Sequence, residues 1–403
     1  MSMEGSNINR NGLRPLVIGT VGSGFAARLH AEALKKVSGV PFRLKTVCDT
    51  DQRRAEELKG EYGYEQATAS FEEMLKDPEI DLIDILTPPY LHFPFICHAL
   101  RAGKHVICEK PLTGYFGQAG DPAPVGMRVP CGRMRRKIDE DLKELEQLIA
   151  ESGKQFFYAE NFIYAPAVQK AKSILEKRKS KILFLKGETS LKGSTSLAAG
   201  TWKKTGGGTL IRCGTHPLTG ILYLKQWESR CRGEEFGIRS VLADTGRATE
   251  CLSEWEHRYI HARPDDVEDF ANVTVTFLDG TKAVVLSTDT VLGGMKDYVE
   301  VYCNDTVMHC KIGPTDLMNL YLADERGMEE EPLAMMLSTK LGWTQPEILK
   351  ESIYGYAEEM QDFLLAAAEG RPAESGIGLA KLATQVLYAA YQSAEEGRRI
   401  DFV

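Results

Sequence analysis

The sequence predicts a two-part α/β protein: a doubly wound parallel sheet over residues 14–160, then an antiparallel sheet with helices over 161–403. Three observations carry this. Short apolar runs alternate with helical segments at βαβ spacing as far as residue 160. The first apolar run ends in a glycine cluster that opens a helix. Beyond Ala165 the pattern changes to long strand-like runs, with Asp279-Gly280 and Asn304-Asp305 as hairpin signals.

Residues 1–13 read as a flexible leader. LVIGTV, from Leu16, has the unbroken apolar character of a buried parallel strand. Gly22–Gly24 breaks it, and Ala26–Val37 reads as helix. Strand 42–48, helix Gln52–Tyr62, a weak strand at Gln66–Ala69 and helix Phe71–Lys76 follow. DLIDILT (81–87) and HVICE (105–109) are further strands flanking helix Pro94–Ala102. Tyr115–Arg136 is rich in Gly and Pro and reads as a long functional or interface loop. Asp139–Ser152 reads as an amphipathic helix, and KQFFYAE (154–160) as the sixth strand. The second part opens with helix Val168–Arg178 and strand 181–191. A Gly-rich turn and an apolar helix ending near Lys225 come next, then the strand-like runs. Helices Ile353–Glu369 and Leu379–Glu396 close the chain.

Composition narrows the function. The chain has 403 residues, 49 Lys plus Arg against 57 Asp plus Glu, and a net charge of −8. A nucleic-acid footprint needs a basic stripe, and the basic segment Arg128–Lys137 has no interleaved aromatics and reads as a solvated face or an oligomer contact. No nucleic-acid partner is expected. The uncharged stretch Ile85–Leu100 holds three prolines and two histidines, so no membrane association is expected either. The N-terminus lacks an apolar signal core. Nine scattered cysteines without a Cys-x-x-Cys fit reduced thiols in the cytoplasm. No metal site is expected, since His257 and His261 stand without a paired cysteine motif.

The chemistry-bearing motifs sit at strand ends. Gly22-Ser23-Gly24-Phe25-Ala26-Ala27 is a Gly-x-Gly-x-x-Ala fingerprint between the first strand and helix. Gly22 allows the tight turn, Gly24 lets a pyrophosphate approach the backbone, and Ala27 lets helix and strand pack closely. Asp49 ends the second strand, where a carboxylate binds ribose hydroxyls and repels a 2′-phosphate. That favours NAD over NADP, a preference that Arg53 and Arg54 soften. Thr87-Pro88-Pro89-Tyr90-Leu91-His92 ends the fourth strand and suits a rigid pocket wall. Glu109-Lys110-Pro111 ends the fifth, where a lysine donates to a substrate oxygen.

This ordered set resembles the Gfo/Idh/MocA oxidoreductases, named after glucose–fructose oxidoreductase, inositol dehydrogenase and a rhizopine-catabolism protein. The matches are Gly22-x-Gly24 with His30, Asp49, Thr87-Pro88-Pro89-x-x-His92, and Ala102–Val106 leading to Glu109–Leu112. Ser152-Gly153-Lys154, Tyr164-x-Pro166, the Gly206–Gly208 turn and the tail Glu396–Ile400 continue it. The resemblance implies an N-terminal Rossmann domain and a C-terminal α/β domain with a large, mostly antiparallel open sheet. It implies NAD-dependent hydride transfer at a secondary alcohol of a sugar, cyclitol, sugar acid or glycoside. Lys110 and His216 would be the catalytic pair. Gly22, Gly24, Phe25, Ala26, Asp49, Arg54, Thr87, Pro88, His92, Glu109 and Lys110 would form the cofactor site. Tyr164, Trp202, Arg212, Thr215 and His216 would face the substrate, with Lys203 beside them.

One departure stands out. The family pattern Gly-Gly-Gly-x-x-x-Asp-x-Gly-x-His reads Gly206–His216 here with Arg212 in place of the aspartate. Arginine stays protonated and serves as no base. It either holds an anionic group of the substrate or pairs with an internal acid. The resemblance also implies a homodimer or homotetramer, with one face of the broad sheet buried against a partner chain. Alternating residues in Val273–Phe277 and Val284–Leu286 would supply its apolar area, and the last helices would pack back on the first domain. Two rival readings remain open: an enzyme that retains NAD and oxidises or cleaves glycosides through a 3-keto intermediate, and a non-catalytic NAD and sugar sensor.

Overall fold

A computed structural model describes residues 14–292, 295–312, 318–330, 340–344, 346 and 353–402. The expected leader at 1–13 lies outside them. The first sheet holds β1 (Leu16–Val21), β2 (Phe42–Cys48), β3 (Gln66–Thr68), β4 (Leu82–Ile85), β5 (His105–Glu109) and β6 (Phe156–Ala159). They run parallel in the order β3-β2-β1-β4-β5-β6. Every residue of β1, β4 and β6 is buried, as unbroken apolar runs require. The connections are α1 (Phe25–Leu34), α2 (Gln52–Tyr62), α3 (Phe71–Lys76), α4 (His92–Arg101), α5 (Val125–Arg128) and α6 (Cys131–Ser152). Local chemistry sets their ends. Asp51 caps α2 by accepting from Arg53 N, and Gly63 closes it in the left-handed region. Ser70 caps α3 by accepting from Glu73 N at 3.2 Å.

The strand order reverses between β2 and β4 on either side of β1, so a crevice opens at the carboxyl ends of these strands. The second unit begins with α7 (Pro166–Arg178), β7 (Ile182–Ser190), α8 (Trp202–Thr205) and α9 (Thr215–Arg232). Strands β8 (Ile238–Gly246), β9 (Phe270–Phe277), β10 (Lys282–Thr288), β11 (Lys296–Cys303) and β12 (Thr306–Lys311) follow. The remainder is β13 (Met318–Leu322), β14 (Gly342–Thr344), α10 (Tyr356–Glu369), α11 (Ile377–Glu396) and β15 (Ile400–Asp401). The nine-stranded sheet has the order β14-β13-β12-β11-β7-β10-β9-β8-β15. Its neighbours are antiparallel except β7 and β10, which run parallel.

Helix α9 packs on β7 and α7, while α11 crosses from β8 to α6 and β6. Helix α10 lies on α1. The last two helices therefore join the two sheets into one body. The other face of the second sheet carries an aromatic row: Phe184, Tyr302, His309, Trp343 and Tyr321, each ring within 6 Å of the next.

Two expectations need correcting. Val273, Val275 and Phe277 are buried beneath the helices, because alternation turns them inward; only Val284 and Leu286 reach the open face. The long loop at 115–136 is largely structured. Val125–Arg128 is helical, and α6 starts at Cys131 just after Pro130. Cys131, Met134, Ile138, Leu142 and Leu145 form its buried stripe, so the basic run from Arg133 lies on a helix. Arg133 pairs with Asp121 at 2.7 Å and Lys137 with Asp141 one turn on.

Candidate active site

The crevice is built from the turns that leave five parallel strands. After β1, Gly22 has φ +97°, and a Cβ there would lie 2.4 Å from Leu86 O. Only glycine fits. Gly24 caps α1 without any side-chain acceptor, and no acidic residue occupies the first turn. The first N–H groups of α1 are left for an anion. A Cβ on Gly24 would meet only Arg54 Nη2, at 3.8 Å. Asp49 leaves β2 and accepts from Ser23 N at 2.9 Å, Ser23 Oγ at 2.5 Å and Asp51 N at 3.0 Å. Burial opposes its charge, yet these donors and Arg54 hold its pKa below the ordinary aspartate value. An uncapped helix start, open space above Gly24 and an ionised acid at the ribose position fit a dinucleotide.

Behind this edge lies a buried ionic cluster. His30 sits 3.0 Å from Asp84 Oδ2 and 3.5 Å from Glu109 Oε1. Burial disfavours its charge, but the two carboxylates outweigh it and raise its pKa well above the usual histidine range. Glu109 also accepts from the backbone N–H of Lys110 at 2.9 Å, which fixes the start of the Lys110 loop. Lys110 then extends its Nζ to Arg212 O at 2.7 Å. One proton of the ammonium is thereby anchored, and the others are left to a ligand.

His216 opens α9 from the opposite wall. Its ring stacks on Phe162 with centroids 4.6 Å apart. Its Nδ1 lies 2.6 Å from Glu160 Oε1, and Glu160 is fully buried. A carboxylate only accepts, so Nδ1 carries the proton and Nε2 is the free, proton-accepting nitrogen. The Gly206–Gly208 turn that delivers α9 is clamped by Glu268, which accepts from Gly208 N and Leu210 N at 2.9 Å and from Tyr391 Oη at 3.0 Å. A Cβ on Gly208 would lie 1.8 Å from Glu268 O. Lys110 and His216 line one cavity of about 1580 Å³, with Phe25, Pro88, Pro89 and Asp297 on its walls.

Residues 16–121 match the family model of the Gfo/Idh/MocA oxidoreductases, described as an oxidoreductase family with an NAD-binding Rossmann fold. Levoglucosan dehydrogenase of Pseudarthrobacter phenanthrenivorans is 32% identical over 108 residues, 25% of this chain and 27% of that protein. Myo-inositol 2-dehydrogenase of Thermotoga maritima is 32% identical over 96 residues, 24% of this chain and 28% of that protein. The match to the Gfo/Idh/MocA family thus lies in residues 16–121, the NAD-binding Rossmann part of the chain. The similarity spans about a quarter of the length of these two relatives. The fold extends further. GenD2 from gentamicin A biosynthesis, solved with NAD, superposes with a TM-score of 0.70 at 24% identity over 97% of both chains. Levoglucosan dehydrogenase with NADH gives 0.73 at 20% identity, over 97% of this chain and 100% of that one.

Several family-based expectations shift once side chains are in place. Arg212 forms an ion pair with Asp289, so its guanidinium meets an internal acid instead of an incoming anion. Tyr164 is buried; its hydroxyl donates to Asp362 at 2.8 Å and accepts from Ser375 N at 3.1 Å, tying β6 to the last helices. Trp202 is buried too, donating from Nε1 to Tyr115 O at 2.9 Å, whereas the next residues, Lys203 and Lys204, face the cavity. Thr215 is fully buried and turned from the cavity. His92 has Nδ1 2.7 Å from Pro111 O and Nε2 2.8 Å from Thr87 O. Burial lowers its pKa, and a neutral ring donates to one of these two carbonyls at a time, so His92 braces the wall from within. Glu109 likewise faces inward, toward His30. Phe25 is 79% exposed at the mouth and Ala26 is half-buried behind it. Thr87 contributes its carbonyl to the wall. Sequence reasoning missed Glu160 and Asp297. An acid at the carboxyl end of a parallel strand, as at Asp49 and Glu109, was the available signal for Glu160. Asp297 lies in a strand far from every motif and had none.

Proposed function

We propose that the protein is an NAD-dependent dehydrogenase that moves a hydride between the nicotinamide and a secondary alcohol of a sugar, cyclitol, sugar acid or glycoside. The observation that carries this is the meeting of an anchored lysine ammonium and a carboxylate-backed histidine in one cavity, beside the uncapped start of α1. Bound along that edge, the cofactor supplies the hydride acceptor. Lys110 donates a hydrogen bond to the reacting oxygen and stabilises its growing negative charge. His216 Nε2 takes the hydroxyl proton, and Glu160 offsets the charge the ring gains. The named relatives support a polyol substrate, since they are dehydrogenases of levoglucosan and myo-inositol. Reduced-cofactor absorbance with sugars, inositols, sugar acids and glycosides tests the reading. Reduction with at least one polyol supports it, and no reduction with any member opposes it.

One observation favours a glycoside within that list. A shelf formed by Leu191, Tyr259, Leu292 and Met295 adjoins the main cavity, and Leu191 and Met295 line both. Such a shelf suits an apolar aglycone. An enzyme that retains NAD and works through a 3-keto glycoside would copurify with cofactor and turn over without net reduced NAD. The working form we propose is a cytoplasmic homodimer or homotetramer joined through the open aromatic sheet face. All nine cysteines are free, and no described helix is long and apolar enough to cross a membrane.

A further inference from the structure

The cavity walls are strongly cationic. Lys110, Lys192, Lys203 and Lys204 line them beside Arg212, which is paired with Asp289, and among the described lining residues the single carboxylate is Asp297. It stands on the inner face of β11, directly opposite Thr189 of β7, which lines the same space. Asp297 is only 8% exposed, and its Oδ1 is buried without a hydrogen-bond partner. The Thr189 hydroxyl, His216 and Lys110 favour its ionised form, and Glu188 opposes it. Burial is the largest influence and raises its pKa above the ordinary aspartate value. A buried acceptor oxygen left unpaired, as Oδ1 is, weakens a fold. A hydroxyl from a bound molecule would satisfy it.

Resting on the dehydrogenase reading, we propose that Asp297 is a substrate-binding carboxylate that accepts a hydrogen bond from a hydroxyl vicinal to the reacting one. Lys110 and His216 hold the reacting oxygen, and Asp297 shares their cavity close enough for both charges to act on it. A diol on adjacent carbons spans such neighbouring groups. The substrate class is thereby narrowed to vicinal diols, and an anionic substituent at the second carbon is repelled.

The test uses full-length protein, the best polyol of the panel and its deoxy analogue lacking the vicinal hydroxyl. Asp297→Asn is expected to raise the KM for the polyol at least about tenfold, the usual scale for a hydrogen bond to a charged group. Calorimetry is expected to show NAD binding within about twofold of wild type and the same weakening of polyol binding to the NADH-loaded protein. The thermal midpoint should hold or rise, because a buried charge with one unpaired oxygen has been removed. On the deoxy analogue, wild type and variant should perform alike. An unchanged polyol KM overturns the proposal. So does an equal loss on polyol and deoxy analogue, or a lowered midpoint with NAD binding lost, which marks a structural role. Wild-type protein that reduces no cofactor with any polyol, while binding NAD, overturns the dehydrogenase reading itself and this proposal with it.

Discussion

At the scale of single residues, the contact that most shapes the proposed chemistry is the one between Glu160 and His216. A buried carboxylate on Nδ1 sets the tautomer and leaves Nε2 free to accept a proton. Glu160→Gln removes the charge while keeping the volume. Its kcat is expected to fall about 10- to 100-fold, with the KM for NAD unchanged, as measured by steady-state kinetics. An unaltered kcat would show that the pair does no work in turnover. Lys110 was legible in the sequence because Glu109-Lys110-Pro111 sits at a strand end within a spaced series of motifs. Tyr164 and Trp202 were misplaced for a physical reason. A buried Tyr or Trp needs a partner for its polar atom just as a pocket-lining one does, so sequence alone does not separate them. Arg212 was legible as a departure, but Asp289, which answers it, lies 77 residues away.

At the scale of elements, the Gly206–Gly208 turn and α9 depend on Glu268. Burial dominates there and pushes its pKa from 4.5 up to about 7. A carboxyl with a raised folded-state pKa contributes stability that is fully present below the unfolded value and lost as pH rises through the folded one. Stability is therefore expected to decline between pH 4.5 and about 7, by up to roughly 3 kcal/mol from this group. Urea unfolding of wild type and Glu268→Gln across that range checks it: the variant should lose this part of the slope. Parallel slopes would mean that Glu268 ionises equally well folded and unfolded. The parallel strands were readable because their apolar runs are continuous. The start of α6 was not, since Arg133, Arg135 and Arg136 mask a stripe whose first members are Cys131 and Met134. The intervening residues 115–129 are tied to the core at a few points: Tyr115 N donates to Tyr388 Oη at 2.5 Å, and Gly126 N donates to Asp266 at 3.0 Å.

At the scale of the whole molecule, α10 and α11 pack the two sheets together, α10 on α1 and α11 on β8, β6 and α6. The outer face of the second sheet is the large surface left over. Trp343 is 58% exposed there, next to Tyr321 and His309. An aromatic row of this kind is characteristic of buried contact surface. Light scattering is expected to give the mass of a dimer or tetramer, and Trp343→Asp combined with Tyr321→Asp is expected to lower it. A monomeric wild type would refute the assignment of this face. Inward and outward strand residues were only partly legible, because period-2 alternation gives two faces without saying which one the helices cover.

In the proposed reaction Lys110 and His216 act together at the nicotinamide edge. The most direct measurement is reduced-cofactor formation by wild type and Lys110→Met with the same polyol, alongside a calorimetric NAD titration of each. The expected result is NAD binding retained by both proteins and turnover lowered at least about 100-fold in Lys110→Met. Equal turnover by the two proteins would contradict it.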